Sequence, residues 1–428
     1  MKILLINTTD SGGGAAIACI RLFEALTEEG HEVRLLTMKK KGSSIHTTSY
    51  DNGVLYKYST LFRFLFERFS FIFREKDKSV RFAFSMANVG IDITKNKWFK
   101  DADIIHLHWI NGGFISLNII RKILNSSKPI VWTLHDMWFF TGGCHYAGQC
   151  IAYKTQCENC PMLSNPSKND ISSKIFNFKK KYFSNHTLNI ITCSQWLANE
   201  AKSAIITANA KIQAIPNPIN TDLFSPKEKS FLRNKYNIES DKFIILFGAA
   251  NINDKRKGIN FLIGAMNYLA TEKSVCDNIS IVIFGKNKQL DINLFPFKVY
   301  NMGIVNSHEK IVDFYSMSDL FVLPSIEDNL PNTVMESLSC GTPVVGFNIG
   351  GVVEMIDDNI NGAIAKEISA ESLATAILRV IKNPNRKALE IKAREKVELL
   401  YNNKIIAKKY TSVYHEVRNK ALFKKDIS

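Results

Sequence analysis

No stretch of this chain approaches the run of about 18 uncharged apolar residues that a membrane-spanning helix requires, so no spanning helix is expected. No low-complexity tract and no internal repeat occurs, which excludes a disordered linker protein and a repeat array. The opening stretch MKILLIN lacks the long apolar core and small-residue cleavage site of a secretory signal and runs straight into a glycine turn. It reads as a buried strand and the protein as cytosolic, with eight cysteines expected to be mostly reduced thiols or metal ligands. Two nucleotide signatures are also missing. The glycines of SGGGAA (Ser11 to Ala16) do not form GxGxxG, and no Walker lysine follows them.

What the chain does have is size and apolar content. Its 428 residues, 46% of them hydrophobic, exceed one ordinary core and suit two domains of roughly 200 residues each. A formal charge of +15 fits nucleic acid, an anionic membrane surface or a phosphorylated substrate, or else a surplus that keeps the protein soluble. Strand and helix patterns alternate from KILLIN through HEVRLLTM, ADIIHLHW, PIVWTLH and LNIITCS. The proline-interrupted IPNPINTDLFSP (215–226) reads as a linker, and FIILFGAA, ISIVIFG, DLFVLPS and PVVGF follow as four more buried strands. Two doubly wound α/β domains joined near residue 220 are predicted, with a helical tail over about 384–420. Ligands of such sheets sit beyond the carboxyl ends of the strands, which points to the strand-to-helix loops and an interdomain cleft.

Three loops carry candidate chemistry. Gly12, Gly13 and Gly14 let backbone amides approach an anion at a helix start, or simply make a tight turn. In NDKRKGINFL, Arg256 and Lys257 precede Gly258 at a helix start, where a guanidinium and an ammonium suit a diphosphate. A solvated basic cluster is the plainer reading. In SIEDNLPNTVMESLSCGTP (325–343), Pro331 suits a first helical turn and Gly341 with Pro343 the stop. Glu327 and Asp328 then lie just ahead of a helix and Glu336 more than one turn inside it. The acids could be capping residues or a two-carboxylate site.

Taken together, IPNPINTDLFSP, KRKGINFLIGAM, SDLFVLPSIEDNLPNTVMESLSCGTPVVGFNIGGVVEMI, NING and the N-terminal GGGAAIACIRLFEAL resemble the retaining family-four glycosyltransferases. The resemblance implies a GT-B architecture, an α/β fold of two Rossmann-like domains facing across a cleft. Residues 1–216 would form the acceptor-side domain with a returning helix over about 386–420, and 217–385 the donor-binding domain. It implies transfer of a sugar from a nucleotide diphosphate sugar to a glycan or lipid-linked acceptor, with retention and no divalent ion. Glu336 takes the acid that holds the donor ribose, and the acid eight positions earlier, Asp328, meets the sugar or leaving phosphate. Glu327 is the neighbour that a one-residue shift would substitute. Lys257 matches the phosphate lysine, and His135 the histidine that contacts the donor sugar. Gly12, Gly13, Gly14, Asn329, Leu330, Pro331, Asn332 and Thr333 complete the expected donor contacts. The chain departs from the family in reading FGAAN where an arginine usually follows the glycine, and Arg256 is the candidate replacement.

Other features have competing readings. His106 and His108, two apart on one strand, could line an acceptor pocket or pack. The DAD at 101–103 resembles a metal-binding Asp-x-Asp but precedes its strand, at the end away from the expected cleft, and is rejected. Cys144, Cys150, Cys157 and Cys160 fall within 17 residues, a spacing suited to a structural zinc, with free thiols next and a redox pair last. The cluster resembles one found in a subset of the family. In residues 61–84, Phe62, Leu65, Phe66, Phe69, Ile72 and Phe73 form one helical stripe flanked by Arg63, Arg68 and Arg74. That suits a helix on an anionic bilayer, making the protein a peripheral one on the inner membrane face, or else a core-facing helix with a basic edge. No nucleic-acid partner is expected. Two rival functions are a nucleotide-sugar epimerase and a non-catalytic sugar-nucleotide-binding assembly protein.

Overall fold

The computed structural model describes residues 1–40, 47–50, 53–273, 275, 278–287 and 290–427, which divide into two compact units. The first comprises Met1–Pro216 with Ile406–Ser428, the second Asn217–Ile405.

The first unit is built on seven strands: β1 (Lys2–Thr9), β2 (Glu32–Lys39), β3 (Thr47–Ser49), β4 (Ile104–Leu107), β5 (Ile130–Leu134), β6 (Asn189–Thr192) and β7 (Lys211–Ala214). All pair in parallel, in the order β3-β2-β1-β4-β5-β6-β7. The near-continuous apolar runs exist because both faces of a parallel sheet are covered. Alternate residues of β1 divide between two cores: Leu4 and Ile6 join Ile105, Trp132 and Ile190, whereas Ile3 and Leu5 join Val33, Val131 and Ile191. The last helix (Asn403–Ile427) closes the second of these cores with Ile406, Ala407, Tyr410, Val413, Tyr414 and Val417, an apolar face at helical spacing.

The second unit holds β8 (Phe243–Asn251), β9 (Ile279–Lys286), β10 (Lys298–Gly303), β11 (Leu320–Leu323), β12 (Val344–Phe347) and β13 (Gly362–Ala365). Their order is β10-β9-β8-β11-β12-β13, again all parallel. The four expected strands occupy its middle; β10 and β13 at the edges are additional.

The expected boundary at 385 differs from what is observed. The helix Arg386–Leu400 belongs to the second unit and buries Leu389, Ala393 and Val397 there. Arg394 fixes it by donating to the carbonyls of Phe224, Ser339 and Thr221 at 2.6, 2.8 and 2.9 Å. The return to the first unit therefore starts at Ile406, twenty residues later than expected. Among the described residues no helix is long and apolar enough to cross a membrane.

Candidate active site

In the second unit the basic turn and the acidic loop are fastened together by backbone. Gly258 has φ +68°, and a Cβ on it would lie 1.8 Å from the Pro324 carbonyl oxygen, so only glycine fits. The Ile326 amide donates to the Arg256 carbonyl at 2.8 Å. This juxtaposition puts Lys257 Nζ 2.6 Å from Asp328 Oδ2, immediately before the helix Ile259–Ala270. Of the two loop acids, Asp328 is thus the one that meets the lysine. Glu327 is half-buried, and burial raises its carboxyl above the usual range although Arg256 acts to lower it. Arg256 itself pairs with Asp254, Nη2 to Oδ2 at 2.7 Å. Burial works against the charge of Asp254, but the guanidinium outweighs it and holds that carboxyl low.

The second acid comes from the helix Asn332–Ser339. Glu336 is buried, and the Tyr315 hydroxyl donates to its Oε2 at 3.1 Å. Pro331 stands at the N-cap position, one residue earlier than the first-turn place expected of it. Asn329, Leu330, Pro331 and Asn332 have buried side chains, and Thr333 is half-buried. Asn332 Oδ1 accepts from Asn217 Nδ2 at 3.3 Å, so this side chain braces the linker to the helix. What this stretch can present to an anion is chiefly backbone N–H. Tyr315 and Asp254 were not identified from sequence: Tyr315 lies inside the helix His308–Met317, outside the candidate loops, and Asp254, although part of NDKRKGINFL, acts only through its pairing with Arg256.

The first unit carries the other candidates. Gly12 and Gly13 have φ +74° and +89° with open space around them, and the helix Gly14–Glu28 starts without a side-chain cap. At the carboxyl ends of β4 and β5, His108 Nδ1 meets His135 Nε2 at 3.0 Å, and His135 Nδ1 lies 3.4 Å from Cys193 Sγ. Burial lowers His135 to about 4, against a raising influence from Asp136. Its imidazole is therefore neutral near pH 7, a hydrogen-bonding group. His106 is fully buried, with both ring nitrogens engaged, one by the Tyr414 hydroxyl (2.7 Å) and one by Thr133 Oγ1 (2.8 Å). Asp103 Oδ2 accepts from the Lys2 backbone amide at 2.8 Å, at the amino end of β4.

All four clustered cysteines line one cavity of about 20 Å³, together with Phe84, Tyr153 and Ser172. Burial pushes the Cys144 and Cys157 thiols up to about 12. Among the described residues no three His, Cys, Asp or Glu side chains stand so as to hold a metal ion. The cysteines converge as the zinc reading requires, but their side chains as placed do not form the site.

The Val54–Ile72 helix is turned opposite to a core helix. Leu55, Tyr58, Leu61, Phe62, Phe64, Leu65, Phe66, Phe69 and Ile72 are exposed, Phe62 at 67% and Phe69 at 60%, and Phe73 just beyond is exposed as well. The residues facing the unit are Thr60, Glu67, Arg68 and Phe71. Arg68 therefore does not flank the stripe as expected: Nη1 donates to the Arg81 and Phe84 carbonyls at 2.7 and 3.1 Å. Lys57, Arg74, Lys76 and Lys78 are the exposed cations on and beside the helix.

Comparison with known proteins gives this arrangement its family. The model of Glycosyltransferase Family 4 matches residues 12–223, and that of Glycosyl transferases group 1 matches residues 228–396. The chain belongs to the family-four glycosyltransferases. It is 26% identical to an uncharacterized glycosyltransferase of Methanocaldococcus jannaschii, over 94% of each chain. Sucrose-phosphate synthase from Thermosynechococcus elongatus superposes with a TM-score of 0.69 at 20% identity, over 97% of this chain and 98% of that one. HepE of Anabaena, solved with UDP-glucose, gives 0.61 at 14% identity over 97% and 100%. The fold of this glycosyltransferase is accordingly GT-B.

The buried histidines make stability depend on pH. His106 is lowered to about 3 and His108 well below its ordinary value, in both cases by burial first, and His135 lies at about 4. Below about pH 6.5 the unfolded chain takes up protons that the folded one refuses, so stability is lost as pH falls from there. Paired carboxylates contribute only at lower pH. Tm should fall between pH 7 and 5, and a Tm unchanged over that interval would contradict the burial of these rings.

Proposed function

We propose that this glycosyltransferase moves a sugar with retention from a nucleotide diphosphate sugar to an acceptor hydroxyl, without a divalent ion. The observation that carries the reading is the Lys257–Asp328 pair at 2.6 Å ahead of a helix N-terminus. Departure of a nucleoside diphosphate builds negative charge on the β-phosphate while the sugar gains oxocarbenium character. Lys257, Arg256 and the first amides of Ile259–Ala270 supply the preorganised positive charge that a divalent ion would otherwise bring. Asp328, paired with the lysine at 2.6 Å, is assigned to hold it before the donor binds and to meet the sugar afterwards. Glu336, fixed by Tyr315, is assigned to the ribose hydroxyls. His135, neutral, is assigned a hydrogen bond to the transferred sugar. An epimerase would release free sugar nucleotide without any acceptor, and a non-catalytic binder would not need the Lys257–Asp328 pair.

We further assign the acceptor to a lipid-linked glycan of a surface polysaccharide, and the Val54–Ile72 helix to an anionic bilayer. Nine large apolar side chains on one helix are exposed in the described unit. The nearby Lys57, Arg74, Lys76 and Lys78 and the +15 overall charge select an acidic lipid surface over an uncharged partner. The convergence of Cys144, Cys150, Cys157 and Cys160 on one cavity supports a structural zinc, closed by small movements of the thiols.

A panel of sugar nucleotides, scored for turnover, tests the central reading; silence with every donor would overturn it. In that assay Lys257→Ala removes a charge-assisted contact of roughly 1.5–3 kcal/mol and should cost about one to two decades in rate. Asp328→Asn should lose most activity and Glu327→Gln little, and the reverse order would give the role to Glu327. Flotation with liposomes should show binding that needs anionic lipid and falls at least about tenfold for a Phe62→Ser, Phe69→Ser double substitution. Equal flotation with and without anionic lipid would sink the membrane assignment. Metal analysis of the purified protein should find about one zinc per chain; a metal-free protein leaves the cysteines as free thiols.

A further inference from the structure

A second constellation lies beside His135 and plays no part in the chemistry above. Asp136 Oδ2 accepts from His145 Nδ1 at 2.7 Å and from Trp109 Nε1 at 3.0 Å, and Oδ1 accepts from the Trp138 amide at 2.9 Å. His145 Nε2 meets Ser85 Oγ at 2.9 Å, and Ser85 Oγ accepts from Arg68 Nη2 at 3.2 Å. By type and order these are the residues of a Ser-His-Asp nucleophilic triad. Ser85, however, is 1% exposed and its oxygen already receives the guanidinium, so no substrate carbonyl can reach it.

The hydrogen bonds instead run one way. With the carboxylate of Asp136 accepting, His145 carries its proton on Nδ1; Nε2 then accepts from the Ser85 hydroxyl, whose lone pair accepts from Arg68. Donation thus passes from Arg68 through Ser85 and His145 to Asp136, and each bond polarises the next. Backbone bonds run alongside, from the Met137 amide to the His145 carbonyl (2.8 Å) and from the His145 amide to the Ala83 carbonyl (2.9 Å). Asp136 is therefore held by three donors, and the adjacent His135 ring meets the His108 imidazole at 3.0 Å and the Cys193 thiol at 3.4 Å.

We propose that His145 is a positioning residue: by pinning Asp136 it sets the orientation of His135, and through Ser85 and Arg68 it ties that loop to the Val54–Ile72 helix. The proposal rests on the glycosyl-transfer reading, in which His135 meets the sugar while Lys257 and Glu336 hold the nucleotide. Loss of the Asp136 anchor should therefore reach kcat and spare the donor KM.

The test compares His145→Ala with His145→Asn, whose side-chain amide nitrogen can reach the place of Nδ1 and keep the bond to Asp136. With the donor that the wild type turns over, His145→Ala should lower kcat about tenfold or more with the donor KM within about twofold, and His145→Asn should recover most of the loss. Wild-type kcat in His145→Ala overturns the proposal. So does an equal loss of kcat in both variants accompanied by equal loss of Tm, which marks a residue that merely supports the fold. If His145→Ala does not fold, Ser85→Ala takes its place: it removes the partner of Nε2, should show a smaller fall in kcat at unchanged KM, and overturns the proposal if kcat is unchanged. Absence of turnover by the wild type with every donor is a different outcome and defeats the glycosyl-transfer reading itself.

Discussion

The candidate site of the second unit depends on one close approach. With no side chain at Gly258, the turn carrying Arg256 and Lys257 lies against the Pro324 carbonyl, and the Ile326 amide closes onto Arg256. Were the two segments further apart, Lys257 could not meet Asp328, and the amides of the helix that follows would face nothing. A cation, a carboxylate and a helix terminus are thereby placed around one point by backbone geometry, before any ligand arrives.

Much of this was legible because the chemistry sits in contiguous stretches. The SIEDNLPNTVMES block combines a strand end, a proline at the helix entrance and acids at fixed offsets, so its local arrangement follows from its order. The strands flanking it declared themselves as apolar runs covered on both faces. What the sequence did not disclose has physical reasons. The edge strand β10 reads KVYNMG and is half-exposed, and β13 reads GAIA, small residues with a single isoleucine, so neither makes a recognisable apolar run. The helix Arg386–Leu400 has a polar surface with few apolar residues, and besides the buried Leu389, Ala393 and Val397 its attachment uses polar groups, Arg394 reaching three carbonyls and Lys396 pairing with Asp357, which periodicity cannot foretell.

The Val54–Ile72 helix shows a different limit. Period alone gave its apolar stripe correctly but says nothing about which side of a helix is covered. That is decided by Glu67 and Arg68: Arg68 caps the Arg81 and Phe84 carbonyls, and Glu67 Oε1 accepts from the Ala87 amide at 3.1 Å. Once these polar groups face inward the phenylalanines have only the outside. The Asp136–His145–Ser85 chain was equally invisible, since Ser85 comes from a segment some distance away in sequence and Asp136 and His145 meet only when the loop between them folds back.

The same outward phenylalanines bear on how the protein behaves once it is taken from a cell. Water cannot be a comfortable solvent for a helix that exposes nine large apolar side chains. Without lipid or detergent, the readiest cover for one such face is another. Association states measured in plain buffer would then describe the needs of that face, and would change with the amphiphile supplied.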